Sequence, residues 1–194
     1  MLDEKGFTTG RITYMLIFYI IKLSDKREEF KMIVTKIKVN QDNYYIGLDE
    51  IGITFISDPN GTISEISSWF DDVIYQEFDR RIPMIEEQLS NYLCGRTTII
   101  ELPVHLIGTP FQISVWEELE KIPYGKTITY LEVATRLGDP KKVRAVANAI
   151  GRNPILYRIP CHRVIGSDGS LKGFSAGLDL KKKLLNMEAK QSIY

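Results

Sequence analysis

The order in which two hydrophobic patterns follow each other along the chain constrains the fold most. Residues 32–57 contain three short runs rich in β-branched and aromatic residues, MIVTKIKV, NYYIGL and GITFIS, with the turn sequence DPNG after them. Helical spacing dominates from residue 64 onward. Strands at one end of a chain and helices at the other indicate an α+β protein. We therefore predict an antiparallel meander in the first part of the chain and a mainly helical second part.

Two helices are expected between the meander and the second half. The segments SEISSWFDDVIYQEF (64–78) and IPMIEEQLSNYLCG (82–95) both have helical spacing. In the second segment Ile85, Leu89 and Leu93 share one face, and Gly95 follows as a stop signal. A further helix is expected from Thr109, where a Thr-Pro-Phe-Gln sequence combines an N-cap, a proline at the first position and a capping-box glutamine.

The segment TITYLEVATRLGDPKKVRAVANAIGRNP predicts a helix-turn-helix. Thr129 and Glu132 form a capping box for the first helix, Gly138 ends it, and Asp139 with Pro140 opens the second. On the second helix, Arg144, Ala145 and Asn148 point outward, opposite its apolar stripe. A small, basic outer face suits close approach to a nucleic-acid groove, although such helix pairs also serve only as packing units.

The charge distribution points to the same half of the chain. The formal net charge is zero, but residues 1–100 hold 11 basic and 16 acidic residues, a balance of −5, while residues 101–194 hold 14 and 9, a balance of +5. The C-terminal half is therefore the candidate nucleic-acid surface.

The chain is expected to divide into three parts: an extension of uncertain role (1–31), an α+β domain (32–105) and a helical domain (106–194).

Residues 13–21 are apolar but about half as long as a membrane span requires. Two cysteines are too few for a disulfide framework, so we expect a cytoplasmic protein with no membrane association.

Cys161 and His162 form the most reactive pair that the sequence offers. Two cysteines and two histidines provide too few ligands for a zinc site, so no metal is predicted. Glu188 falls on the apolar side of the last helix, where a carboxylate needs a partner, and His162 is the natural one. A thiol, a base and an acid that orients the base suit nucleophilic catalysis, and the imidazole and helix dipoles are expected to increase the thiolate fraction. The alternative is a buried structural cysteine.

The two other residues of these types are assigned structural roles. Cys94 ends a helix away from any histidine or acidic cluster, and it is expected to be a small buried hydrophobic residue. His105 lies among apolar residues in the connector between the two halves.

The residues around Cys161 resemble a known family. The sequence IPCHRVIG, the Asn153-Pro154 pair before it, RAVANAI, GFSAGLDLKKKLL and Glu188 together are similar to O6-alkylguanine-DNA alkyltransferase, also called methylated-DNA–protein-cysteine methyltransferase. The resemblance is strong over 109–188, weaker over 33–108 and absent over 1–31. It implies a ribonuclease H-like N-terminal scaffold of antiparallel sheet and helices, joined to a helical domain that contains the helix-turn-helix.

The resemblance also implies a reaction. O6-alkylguanine, chiefly O6-methylguanine, is flipped out of duplex DNA, and its alkyl group passes irreversibly and stoichiometrically to Cys161. His162 would act as a base through a water molecule, and Glu188 would orient it. Asn153 would tie the active-site turn to the helix-turn-helix. Tyr130 would donate to the guanine ring and crowd the phosphate. No cofactor is implied.

Further positions follow from the resemblance for DNA and substrate. Arg144 would enter the base stack in place of the flipped nucleotide, and Ala145 and Ala147 would allow a minor-groove approach. The protein is expected to act as a monomer. The resemblance assigns four residues to the guanine pocket: Val164 through its carbonyl, Phe174 where many members have tyrosine, Ser175 through its N–H, and Ala176 where glycine is frequent.

Three other functions are compatible with parts of the sequence. An alkyltransferase-like protein would bind the lesion and signal to another repair pathway without transfer, but such proteins lack the acceptor cysteine. A Cys-His hydrolase would leave Arg144 and the helix-turn-helix unexplained. A transcription regulator would need long polar side chains to read base edges, which RAVANAI lacks.

Overall fold

The computed structural model describes residues 32–67, 69–70 and 73–191. The predicted extension 1–31, including its apolar run, lies outside these ranges.

A four-stranded sheet occupies the first part of the described chain. Strands β1 (Met32–Val39), β2 (Asp42–Leu48) and β3 (Ile53–Ile56) form the antiparallel meander that the sequence predicts. A fourth strand, β4 (Val73–Tyr75), pairs with the outer edge of β1 in parallel, which gives the order β3-β2-β1-β4. The predicted α+β class is confirmed.

The helix predicted over 64–78 is wrong in its second half. Helix α1 covers only Ile63–Ser67, and the chain then returns to the sheet as β4. In β4, three consecutive residues with high strand propensity, Val73, Ile74 and Tyr75, pair with Met32, Ile33 and Val34 of β1. Pairing supplies hydrogen-bond partners to the edge of β1, and this tertiary gain outweighs the local helical pattern.

Both faces of the sheet are covered, as the alternation of side chains along β1 requires. Met32 and Val34 pack with Phe55 and Ile66 in a small cluster on one face. Ile37 and Val39 point to the other face and join the main core, which continues without interruption into the helical part of the chain.

Two further helices follow the sheet, and the second begins at its predicted capping box. Helix α2 spans Ile82–Leu93 and α3 spans Pro110–Glu120. The predicted capping box of α3 is formed, since Thr109 Oγ1 accepts from the N–H of Gln112 at 3.3 Å and the Gln112 side chain accepts from the N–H of Thr109 at 2.9 Å.

The helix-turn-helix consists of α4 (Tyr130–Arg136) and α5 (Val143–Gly151). Gly138, with φ +87°, makes the turn between them. The predicted start of the second helix is shifted, because a 3-10 turn at Pro140–Lys142 precedes α5. Asp139 caps that turn by accepting from the N–H of Lys141 at 3.0 Å.

Two short strands and a final helix complete the described fold. β5 (Ile128–Thr129) pairs in parallel with β6 (Val164–Ile165), and α6 covers Leu178–Gln191. None of the described helices is long and apolar enough to cross a membrane.

Two expectations for single residues need correction. Cys94 is exposed rather than buried, because it lies at the C-cap of α2, with Sγ 3.7 Å from Oδ1 of Asn40. His105 does not rest among apolar groups alone, since its Nδ1 hydrogen-bonds a carboxylate oxygen of the buried Asp49. No group of three or more potential metal-ligating side chains occurs within the described residues.

Candidate active site

Cys161 lies in a buried 3-10 turn, Cys161–Arg163, directly before β6. Only 2% of the Cys161 residue surface is exposed, and His162 is completely buried. Pairing of β6 with β5 fixes this turn next to the start of α4. The reactive pair is therefore held by the core rather than carried on a free loop.

Asn153 connects the cysteine to the helix-turn-helix. It follows the C-terminus of α5, and its Nδ2 donates to the carbonyl of Ile159 at 2.9 Å and to Sγ of Cys161 at 3.0 Å. Its Oδ1 accepts from the N–H of Ile155 at 3.0 Å. A displacement of α5 would thus be transmitted to the sulfur through one buried amide.

Glu188 of α6 is completely buried and is surrounded by donors. His162 Nε2 lies 2.8 Å from Oε1, the Tyr92 hydroxyl donates to Oε1 at 2.7 Å, and the N–H of Gly125 donates to Oε2 at 2.9 Å. Arg163 donates to both oxygens at 2.9 Å. Burial alone would raise the pKa of Glu188, but the bonds from His162, Arg163 and Tyr92 lower it to about 2. The carboxylate is therefore ionised at neutral pH.

This carboxylate sets the proton positions of His162. With Nε2 facing Glu188, a neutral imidazole carries its hydrogen on Nε2 and leaves Nδ1 as a proton acceptor. Nδ1 is buried and has no hydrogen-bond partner among the described residues. Burial lowers the pKa of His162, against the opposing effect of Glu188. The resting ring is neutral and can take one proton.

The sequence predicts an increased thiolate fraction for Cys161, but its environment in the structure favours the neutral thiol. Burial raises the pKa of Cys161 to about 11, although the hydrogen bond from Asn153 and the positive charge of Lys181 act in the opposite direction. The resting sulfur is a neutral thiol. A thiol in this state needs a base to remove its proton before it can act as a nucleophile.

Lys181 is a buried cation beside this thiol. Its Nζ donates to the carbonyl of Val164 at 2.6 Å and to that of Lys172 at 2.8 Å. It also lies 5.9 Å from the ring centres of Tyr130 and Phe174. Burial lowers the pKa of Lys181 to about 8. The carbonyl of Val164, which the family resemblance assigns to the guanine, already accepts one hydrogen bond and has one further lone pair.

Tyr130 is anchored on the loop that follows β6. Its hydroxyl donates to the carbonyl of Lys172 at 2.7 Å. Gly173 allows this approach, because a Cβ there would lie 2.8 Å from the Tyr130 oxygen and the backbone has φ +59°. Burial raises the pKa of Tyr130, so the hydroxyl keeps its proton.

The outer faces of α5 and of this loop enclose a cleft of about 800 Å³. Ala145, Ala147 and Asn148 line it from α5, and Phe174 and Ser175 line it from the loop. Cys161 and Asn153 lie deeper in the core. Arg144, the neighbour of Ala145, is exposed. The cleft therefore joins the exposed helix face to the loop around the buried thiol.

Comparisons with known proteins show which family the chain resembles in sequence. The model of the 6-O-methylguanine DNA methyltransferase DNA-binding domain matches residues 110–190. An inducible methylated-DNA–protein-cysteine methyltransferase of Bacillus subtilis is 38% identical over 154 residues, 77% of this chain and 86% of the relative. A second such methyltransferase, from Methanosarcina acetivorans, is 42% identical over 142 residues, 72% of this chain and 87% of the relative. The chain belongs to the methylated-DNA–protein-cysteine methyltransferase family.

A solved structure supports the same assignment. The crystal structure of OGT from Mycobacterium tuberculosis in complex with DNA superposes with a TM-score of 0.71 at 31% identity, covering 82% of this chain and 94% of that chain. The resemblance stated from the sequence is therefore confirmed for family and fold, and the chain is a DNA repair methyltransferase by family.

The structure brings most of the sequence-predicted residues of this methyltransferase to one region. Hydrogen bonds join Asn153 to Cys161 and His162 to Glu188, and the two pairs meet because Cys161 and His162 are adjacent in the turn. The pocket residues Val164 and Phe174 both neighbour Lys181. Ala176 lies partly buried on the same loop. The individual functions of these residues remain predictions.

Sequence analysis missed three residues of this network: Tyr92, Arg163 and Lys181. A signal existed for Lys181, which lies three residues before Leu184 and seven before Glu188, on the same buried face of α6. No sequence signal linked Tyr92 to Glu188, because Tyr92 comes from α2 and lies 96 residues away from Glu188 in the chain.

Proposed function

We propose that this protein repairs O6-alkylguanine in duplex DNA, chiefly O6-methylguanine, by transferring the alkyl group to Cys161. One observation carries the proposal: a buried thiol, clamped by Asn153, lies beside an imidazole whose far nitrogen is fixed on a carboxylate. This arrangement supplies a nucleophile and a base from one buried turn and an orienting acid from α6.

The proton of the thiol would pass to Nδ1 of His162. Neighbouring residues in a 3-10 turn point in different directions, so a water molecule is the expected relay. Glu188 would stabilise the imidazolium that forms, and Arg163 and Tyr92 would keep the carboxylate in place. The S–C bond then forms as the C–O6 bond breaks, and guanine leaves.

Two further groups would favour this step. The ammonium of Lys181 offsets part of the charge that develops on sulfur. The hydroxyl of Tyr130 would leave the carbonyl of Lys172 and donate to the guanine ring, for which its retained proton is required.

The substrate would reach the thiol by base flipping, since O6 faces its pairing partner within the duplex. Helix α5 would enter the minor groove with Ala145 and Ala147 against the DNA, and exposed Arg144 would fill the space in the stack. The flipped base would then lie between Phe174 and the active-site turn, with Ser175 and Ala176 at the rim.

Transfer would occur once per molecule. A thioether is not cleaved by water or imidazole, and the second cysteine, Cys94, lies at the end of α2 beside Asn40. The product would therefore be a permanently alkylated protein.

The test is intact-protein and peptide mass spectrometry after mixing with duplex DNA that contains one O6-methylguanine, with Cys161→Ala as the control. We expect one methyl group per protein, on the peptide that contains Cys161, and none in the variant. Tight binding of the lesion without a gain in mass would instead support a lesion-binding protein that signals to another pathway.

Three predictions accompany this proposal: a domain boundary near residue 105, binding to DNA as a monomer, and a cytoplasmic location. The first two can be examined by limited proteolysis and by sedimentation with a lesion-bearing duplex.

A further inference from the structure

A second cavity, the side crevice, lies against the active site on the side of the N-terminal sheet. It has a volume of about 230 Å³ and is lined by the end of β3 and the loop after it, by Trp69, and by segments around Asn153 and Ser175. The reaction proposed above makes no use of it.

Two residues connect the side crevice to the chemistry. Ser175 lines both the side crevice and the DNA-facing cleft. Asn153 also lines the crevice, and its Nδ2 is 3.0 Å from Sγ of Cys161. A long substituent on the carbon that sulfur attacks must extend away from the purine. The side crevice adjoins both the pocket rim and the residue bonded to the sulfur.

The walls of the side crevice are suited to methylene groups. Phe55 and Leu156 are each only 3% exposed, and the ring of Trp69 is partly buried beside them. Because each methylene removed from water adds about 0.8 kcal/mol of favourable burial, a chain of several carbons gains measurably from this surface.

The charged residues that line the side crevice in the described part of the chain are all acidic. Asp58 and Glu65 line it, and none of the described lining residues is basic. Burial and the nearby Glu65 raise the pKa of Asp58 to about 6, so the Asp58 carboxylate is ionised at pH 7.5. A negative group entering the crevice would be repelled, and a positive one attracted.

We propose that the side crevice receives the distal end of long O6 substituents, and that Asp58 and Glu65 select cationic or neutral ends over anionic ones. The inference rests on the proposed function, since it concerns which alkyl groups the same thiol accepts. It names a substrate class: guanines with flexible O6 chains of about four carbons, ending in an amine in preference to a carboxylate.

Single-turnover transfer from four duplexes tests this at pH 7.5 and low salt. The guanine carries O6-methyl, O6-butyl, O6-(4-aminobutyl) or O6-(3-carboxypropyl), and quenched samples are analysed by mass spectrometry. The three long groups react at similar primary carbons, so their differences report on the distal end. We expect the aminobutyl group to transfer roughly tenfold faster than the carboxypropyl group, with butyl between them.

Variants assign the effect to the side crevice. Asp58→Asn together with Glu65→Gln should reduce the ratio of aminobutyl to carboxypropyl rates to about one, while the methyl rate is unchanged. Trp69→Ala should slow all three long groups relative to methyl. Glu87→Gln is the matched control, because it removes one negative charge from the exposed face of α2 and should leave the ratio intact.

The outcomes separate the two proposals. Absence of methyl transfer from the wild type would overturn the proposed function, and this inference with it. Normal methyl transfer with equal rates for the charged chains, or with a ratio that the double variant does not change, would overturn only the inference. Thermal unfolding of each variant shows whether a lost rate reflects a lost fold.

Discussion

At the scale of single residues, burial sets the resting protonation states of Cys161 and His162. Burial raises the pKa of the Cys161 thiol to about 11 and lowers that of His162, so both groups rest neutral. Glu188 is the exception, because hydrogen bonds keep it ionised inside the core. A neutral thiol is a weaker nucleophile than a thiolate, so the raised pKa lowers the reactivity of the resting sulfur.

Glu188→Gln should show how much the buried carboxylate contributes to the stability of the protein. Removal of one partner leaves the Arg163 guanidinium inadequately compensated, so we expect a loss of about 3–5 kcal/mol in the free energy of unfolding at pH 7. The wild-type carboxylate has a lowered pKa, hence its contribution is present above about pH 4.5 and is lost as the pH falls toward about 2.

Denaturant unfolding at several pH values measures both effects. The difference between wild type and Glu188→Gln should shrink across that acidic range, while Glu87→Gln, on an exposed part of α2, should change stability by less than about 0.5 kcal/mol. A constant difference from pH 7 to pH 2 would contradict the assignment of the lowered pKa to Glu188.

At the scale of elements, local signals that start and stop helices define the helix-turn-helix. Capping boxes begin α3 and α4, and a glycine with φ +87° turns the chain toward α5. These signals are local, so sequence patterns predict them well. The same reasoning failed over 64–78, where the partner of β4 lies about forty residues earlier in the chain.

Two glycine substitutions in this motif should have opposite effects. Gly138→Ala meets no neighbouring atoms but forces a side chain into left-handed backbone, so it should destabilise the protein by about 1 kcal/mol. Gly151→Ala, at the end of α5, also meets open space but has no positive φ, and it should be neutral or stabilising by up to about 1 kcal/mol. Thermal or denaturant unfolding measures both. Equal destabilisation would show that packing, not backbone conformation, decides the effect.

At the scale of the whole molecule, the core of the sheet continues into the core of the catalytic part. Ile56 of β3 donates its N–H to the carbonyl of Pro154 at 2.9 Å, directly after the asparagine that holds Cys161. A chemical change at the Cys161 thiol should therefore affect the stability of the whole described fold.

Methylation of Cys161 should lower the stability of the whole protein. The added carbon enters a site where the residue is 2% exposed and the sulfur accepts a hydrogen bond at 3.0 Å, so crowding should cost about 1–3 kcal/mol. Unfolding curves before and after reaction with an excess of O6-methylguanine duplex measure this, with Cys161→Ala as the unreactive control. Unchanged stability after complete methylation would mean that the pocket expands freely.

Sequence patterns predicted four features: the α+β class, the meander, the capped helices and the pairing of His162 with Glu188. These follow from periodicity, local caps and the free-energy cost of a lone buried acid. Three features depended on contacts between distant segments: the strand at 73–75, the exposure of Cys94, and the positions of Tyr92 and Arg163 beside Glu188. The tertiary structure also reversed the expected thiolate character of Cys161. These features depend on which distant segments meet and how much water they exclude, and neither quantity is written in local sequence patterns.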